Sequence, residues 1–190
     1  MSDPTIVIFD ACVIYPERLR SLLMYLASSG LFKAKWSDEI HSEWIRNLLA
    51  NRPDLSRNQL EKIREQMNLY SQDSLVTEYD YLIPQLFLPD PDDRHVLAAA
   101  IQGQAGHIVT FNTRDFPDDV LKVHDIIAMH PDRFIFEQFH TVPSLVLQAI
   151  KIHRNSYKRP PLLVEDYLAP LERSGLAQTV SLIRKYGDLV

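Results

Sequence analysis

The spacing of apolar residues along the chain switches between two periods. Thr5-Ile6-Val7-Ile8-Phe9-Asp10 is a β-branched and aromatic run that ends in an acid, the pattern of a buried parallel strand. Residues 17–29 then place Leu19, Leu22, Leu23 and Leu26 on one helical face, and Gly30 ends that stretch. Ser37 stands where it caps a helix reaching about Leu49, with Ile40, Trp44 and Leu48 turned inward. Ser56, with Gln59 three residues on, forms a capping-box pattern, followed by a stripe of Leu60, Ile63, Met67 and Tyr70. Residues 74–89 are mixed and predict a short strand or loop, then a short helix. Pro89-Asp90-Pro91-Asp92-Asp93 opens a helix whose inward positions are Val96, Leu97, Ala100 and Ile101, with Gly103 and Gly106 at its end. His107-Ile108-Val109-Thr110-Phe111 predicts a second strand, and Ile126-Ile127-Ala128-Met129 a third.

Strands alternating with helices predict an α/β layered fold with a mostly parallel sheet. Beyond about Phe139 the strand pattern stops. Residues 144–157 read as helix, Pro160-Pro161 breaks it, and two short helical stretches follow. The expected organisation is an α/β domain over 1–139 with a helical extension over 140–190.

Composition changes this picture little. Of 190 residues, 46% are hydrophobic and 24% charged, enough apolar material for a sizeable core. Cys12 has no second cysteine to pair with, which fits a reducing cytoplasm. No apolar run approaches the ~18–20 residues of a membrane span, and the first residues lack the pattern of a signal peptide. Charge is more informative. The net value is -5, but residues 1–149 hold 13 Lys and Arg against 21 Asp and Glu, while residues 150–190 hold 7 against 4. A bulk basic balance is absent, and the basic end carries Lys151, Arg154, Lys158 and Arg159.

The acids fall at informative places. Asp10 ends the first strand, and ligands of open parallel sheets bind outside strand carboxyl ends. As a plain turn acid it would cap the next helix. Glu43 borders the apolar stripe of its helix, where Arg46 at i+3 could pair with it. Asp90, Asp92 and Asp93 crowd one helix start. Capping uses one such acid, and like charges so close are costly unless a cation or a raised pKa relieves them. Asn112 and Asp115 follow the second predicted strand, as turn residues also do. A parallel sheet could bring these groups into one cleft. An oxygen-only cluster suits a hard cation such as Mg²⁺ or Mn²⁺ and not zinc. A cation so held activates water and neutralises charge on a phosphate, so phosphodiester hydrolysis needs no serine or cysteine nucleophile.

In combination, Phe9-Asp10, Glu43, Asp93-Arg94-His95-Val96-Leu97-Ala98-Ala99-Ala100 and Thr110-Phe111-Asn112-Thr113-Arg114-Asp115-Phe116 resemble the PIN-domain family. Within it they are most similar to VapC-like toxin ribonucleases, over roughly residues 5–135. The resemblance implies a three-layer α/β/α sandwich, Mg²⁺ or Mn²⁺ held by acids, and endonucleolytic cleavage of RNA. It also implies a cognate VapB-like antitoxin and a homodimer. Carried onto this chain it makes Asp10, Glu43, Asp93 and Asp115 the catalytic acids, with Asp10 and Asp93 on the metal. Asp92 and Asn112 stand as supporting groups and alternatives to their neighbours. Arg46, Arg94 and Arg114 are candidate RNA contacts, although each taken singly reads more readily as a solvated or ion-paired arginine. The chain departs from the family at Cys12, where many members carry Ser, Thr or Asn. That leaves the polar contact to a weakly polar thiol. A DNA-directed nuclease and a non-catalytic PIN-type scaffold are the alternative readings.

Overall fold

A computed structural model describes residues 4–158 and 160–189, so Arg159 of the basic end lies outside the described residues. Five strands form one parallel sheet: β1 (Ile6–Phe9), β2 (Lys33–Ser37), β3 (Leu75–Val76), β4 (His107–Val109) and β5 (Ile127–Met129), in the spatial order β3-β2-β1-β4-β5. The chain builds outward from β1 through β2 to β3, then returns to lay β4 on the other side of β1. Ile8 faces Lys35 on one side and Ile108 on the other. The strand order therefore reverses between β1 and β4, and a crevice opens outside their carboxyl ends.

Among the described residues, ten α-helices connect and cover the sheet. They are α1 (Ala11–Ile14), α2 (Glu17–Ser28), α3 (Asp38–Asn51), α4 (Arg57–Asn68), α5 (Arg94–Gln102), α6 (Asp118–Leu121), α7 (Pro131–Thr141), α8 (Pro143–Ser156), α9 (Val164–Arg173) and α10 (Ala177–Arg184). Val7, Ile8 and Phe9 are all buried. Successive strand residues point to opposite faces, so both faces of the sheet are covered, as the α/β/α expectation requires. Helix α5 lies across β1, β2 and β4, while α2 packs on β2 and α6 on β5. Phe9, Phe32 and Phe134 make a chain of edge-to-face contacts that ties β1 to α7.

Local signals act where the sequence places them. Ser37 accepts from the Ile40 amide to cap α3, and Ser56 and Gln59 close a full capping box on α4. Gly30 takes a left-handed φ of 84° after α2. Three details differ from the pattern-based reading. Lys33–Ser37 is a central strand that the pattern missed, because lysines occupy alternate positions. Ala34 and Trp36 are buried between them, and the Lys35 stem runs along the sheet past Gly103. β4 ends at Val109, two residues early, since Thr110 turns its side chain to Asp10. A 3-10 turn over Pro91–Asp93 precedes α5, so the helix proper starts at Arg94.

The helical end is continuous with the rest. α8 packs along α2, α7 against α8, and α10 against α7 and α9. Tyr167, Leu168, Leu171, Leu176, Val180 and Ile183 belong to the same buried cluster as the strands. Residues 139 and 140 lie inside α7, so the two parts share a helix rather than a linker. Among the described residues, no helix is long and apolar enough to cross a membrane.

Candidate active site

The crevice at the β1/β4 reversal is where the sequence-predicted acids gather. Asp10 follows β1 with only 3% of its surface exposed. Its side chain makes no helix cap, so the turn-acid reading does not hold. One carboxylate oxygen, Oδ2, accepts instead from the Thr110 hydroxyl at 2.6 Å and from the Cys12 thiol at 3.1 Å. Thr110 in turn accepts from the Asn112 amide at 3.0 Å, and the Phe111 amide donates to Cys12 Sγ at 3.4 Å. The Cys12 thiol thus supplies a polar contact to Asp10. Two strand ends are stitched together around one carboxylate.

Burial raises the Asp10 pKa above the ordinary carboxylate range. The bonds from Thr110 and Cys12 pull it back, and Glu43 pushes it up again. Burial likewise lifts Asp93 to about 7, reinforced by repulsion from Asp10, Asp90, Asp115 and Glu43 in that order. Acids from the end of β1, α3, the start of α5 and the turn after β4 therefore feel one another across the crevice, although Asp10 and Asp115 stand 105 positions apart in the chain. Asp90 caps the 3-10 turn by accepting from the Asp92 amide, and Asp92 itself is exposed. Of the adjacent pair, Asp93 is the half-buried one. Asp115 is half-buried in a 3-10 turn closed onto Asn112, whose own side chain is exposed.

The cations answer less well to expectation. Glu43 does not pair with Arg46. Its Oε2 lies 3.5 Å from His95 Nε2, a neighbour on α5 that the pattern reading did not single out. The place of His95 in the first turn of α5, two residues after Asp93, was the available signal. Thr110 was likewise quoted only as part of a motif, although it binds the central acid. Arg94 turns back and donates to the Pro91 carbonyl at 2.8 Å, while Arg46 and Arg114 are exposed.

The carboxylates of Asp10, Glu43, Asp93 and Asp115 gather at this crevice, and their mutual repulsion is what a hard divalent cation relieves. Among the described residues, no three His, Cys, Asp or Glu side chains are gathered tightly enough to hold an ion by themselves. A cavity of about 750 Å³ lies elsewhere. It is lined by Tyr15, Arg20, Met24, Leu48, Leu60 and Met67 between α2 and α3–α4, and none of the four acids lines it.

Comparison with known proteins agrees with this geometry. The family model described as "PIN domain" matches residues 5–114, more than half of the chain, and that described as "VapC50 C-terminal domain" matches residues 131–185. A Mycobacterium tuberculosis (strain ATCC 25618 / H37Rv) protein named "Putative ribonuclease VapC50" is 40% identical over 79 residues. The match spans 42% of this chain and about half, 47%, of that protein. No solved structure matches the chain at comparable stringency. With acids converging on the strand-order reversal and a family match spanning the same elements, the chain belongs to the PIN-domain family.

Proposed function

We propose that this protein is a Mg²⁺- or Mn²⁺-dependent endoribonuclease, the toxin of a toxin–antitoxin pair with a VapB-like antitoxin, working as a homodimer in the cytoplasm. The observation that carries the reading is the placement of Asp10 and Asp93 across the β1/β4 crevice, each raised in pKa by burial and by the other acids. Asp10 and Asp93 hold the cation, and Glu43 and Asp115 complete the acidic cup. When bound, the cation lowers the pKa of water to supply a nucleophile and neutralises charge developing on the phosphate.

The chain's own groups prepare the site. Thr110 and Cys12 fix Asp10 through one oxygen. His95 restrains Glu43 from the α5 side. Asn112 holds the turn that carries Asp115. Arg46 and Arg114, exposed beside the acids, contact flanking phosphates. Arg94 is the weakest of the three candidates, because its Nε is engaged by Pro91. We take residues 1–139 as the nuclease domain and 140–190 as a helical extension joined to it through α7.

Asp10→Asn tests the assignment. The substitution keeps the shape and removes a buried negative charge, so the folded state is retained while cleavage of RNA is lost. Chelation by EDTA stops the wild type, and added Mn²⁺ restores it. RNA and DNA substrates of the same sequence are compared in parallel. A chain that cuts only DNA assigns the site to a DNA-directed nuclease, and one that cuts neither assigns it to a binding scaffold. Wild-type rates in Asp10→Asn would refute the metal-ligand role. Growth arrest by the wild type but not by Asp10→Asn, relieved by a co-expressed VapB-like protein, is the result expected of a toxin.

A further inference from the structure

The helical extension reaches the loop that holds Asp10. Phe111 follows Thr110 directly, and its ring stacks edge-to-face on His130 with centroids 5.1 Å apart. Both rings are covered by the turn between α9 and α10. That turn is made by Gly175 in the left-handed conformation, φ 89°. A β-carbon at Gly175 would stand 3.3 Å from Phe111 Cε1 and 3.8 Å from His130 Cε1. The first distance is tighter than ordinary packing, so any side chain here is strained by its φ and also has to displace the Phe111 ring by a few tenths of an ångström.

The turn is itself anchored. Asp132, buried in the first turn of α7, accepts from the Gln178 amide at 2.9 Å and the Thr179 amide at 2.8 Å, capping α10 from another helix. Thr179 returns the contact by donating its hydroxyl to the Asp132 carbonyl at 3.1 Å. His130 accepts from the Asp132 amide and so is fixed at the same point. An unbroken path of contacts runs from α10 through Asp132 and His130 to Phe111. From Phe111 it continues through its amide to Cys12, and through Thr110 to Asp10.

We propose that Phe111 is a positioning residue seated by Gly175, so that the C-terminal helices are part of the catalytic apparatus. They hold the Thr110–Phe111 loop closed on Asp10. The proposal rests on the nuclease reading above for its activity readout. It has a second readout of its own, because Cys12, the chain's single cysteine, lies under the same loop and reports its closure.

The test compares wild type, Gly175→Ala, and Gly175→Ala combined with Phe111→Leu. Leu60→Ala in α4 serves as a control that loses stability without touching the loop's packing. Two quantities are read: the rate at which an aromatic disulfide reagent labels Cys12, and kcat and KM on RNA with Mn²⁺. Gly175→Ala is expected to label several-fold faster and to lose about tenfold in kcat with little change in KM, since displacements well under 1 Å at reacting groups carry costs of that order. Phe111→Leu in the same chain makes room for the new methyl. It restores the labelling rate and kcat toward wild type while thermal stability stays lowered, because the φ of residue 175 remains strained. Wild-type labelling and kcat in Gly175→Ala overturn the proposal. So does a loss of kcat that Leu60→Ala reproduces or that Phe111→Leu fails to relieve. If the wild type leaves RNA intact, the nuclease reading fails instead, and the labelling rates still decide whether Gly175 governs the loop.

Discussion

Replacing Thr110 with valine isolates the contact on which the site depends. The two side chains have nearly the same shape, so packing in the buried turn after β4 changes little. What is lost is a hydroxyl that donates to Asp10 Oδ2 at 2.6 Å and accepts from the Asn112 amide at 3.0 Å. A hydrogen bond to a charged group contributes about 1.5–3 kcal/mol, and an amide left without its acceptor adds up to about 1 kcal/mol more where water cannot reach it. Cys12 remains as a weak donor at 3.1 Å, which offsets part of the loss. A net destabilisation of about 2 kcal/mol follows, or a fall of about 1 M in the urea midpoint for a slope near 2 kcal/mol/M. The Asp10 pKa also rises, because the bond from Thr110 is the largest of the effects that lower it. A freer and more readily protonated carboxylate is a poorer cation ligand. Turnover of RNA therefore falls by about ten- to a hundredfold, the range seen when the partner of a metal ligand is removed. Urea titration and single-turnover cleavage measure the two effects, and Thr110→Ser, which keeps the hydroxyl, recovers most of both. An unchanged urea midpoint together with wild-type turnover in Thr110→Val would show that the hydroxyl neither anchors Asp10 nor matters to the site.

Two further predictions concern stability alone. His41 is held neutral between the Trp44 indole, which donates to its Nδ1, and Asn68, and burial lowers its pKa to about 4; burial also lowers that of His153, held between two tyrosine hydroxyls, to about 4. Both folded values lie below the unfolded one near 6.5. The unfolded chain therefore takes protons first as pH falls, and stability present above about 6.5 is lost progressively toward 4. The loss is about 3 kcal/mol for each imidazole, and denaturant titrations at pH 7, 5.5 and 4.5 should show it, with His41→Gln flattening the slope. Ser56→Ala opens the capping box on α4 and should cost about 1 kcal/mol with RNA cleavage unchanged; a loss of cleavage there would mean that α4 communicates with the crevice.

Much of this molecule was legible before any coordinates. Strand ends marked by Asp10 and by the Thr110–Phe116 segment, the caps at Ser37 and Ser56, and the stop at Gly30 follow from local chemistry: propensity, periodicity and capping act within a few residues. The strand at Lys33–Ser37 was hidden for the same reason, since its lysines mask a burial that only neighbouring β1 and β3 impose. The sequence also placed an excess of acids at helix starts, where capping alone does not need them.

Tertiary structure decided everything that depends on distance in space. It separated Asp93 from Asp92 by burial, paired Glu43 with His95 rather than Arg46, and put Thr110 and Cys12 on the same oxygen of Asp10. It also brought Gly175 against Phe111, 64 positions away in the chain. Each of these is a contact between segments that share no local signal. Their geometry is set by the order in which strands join the sheet and by the helices packed into one common core. Burial and Coulomb interaction depend on that arrangement and not on position along the chain.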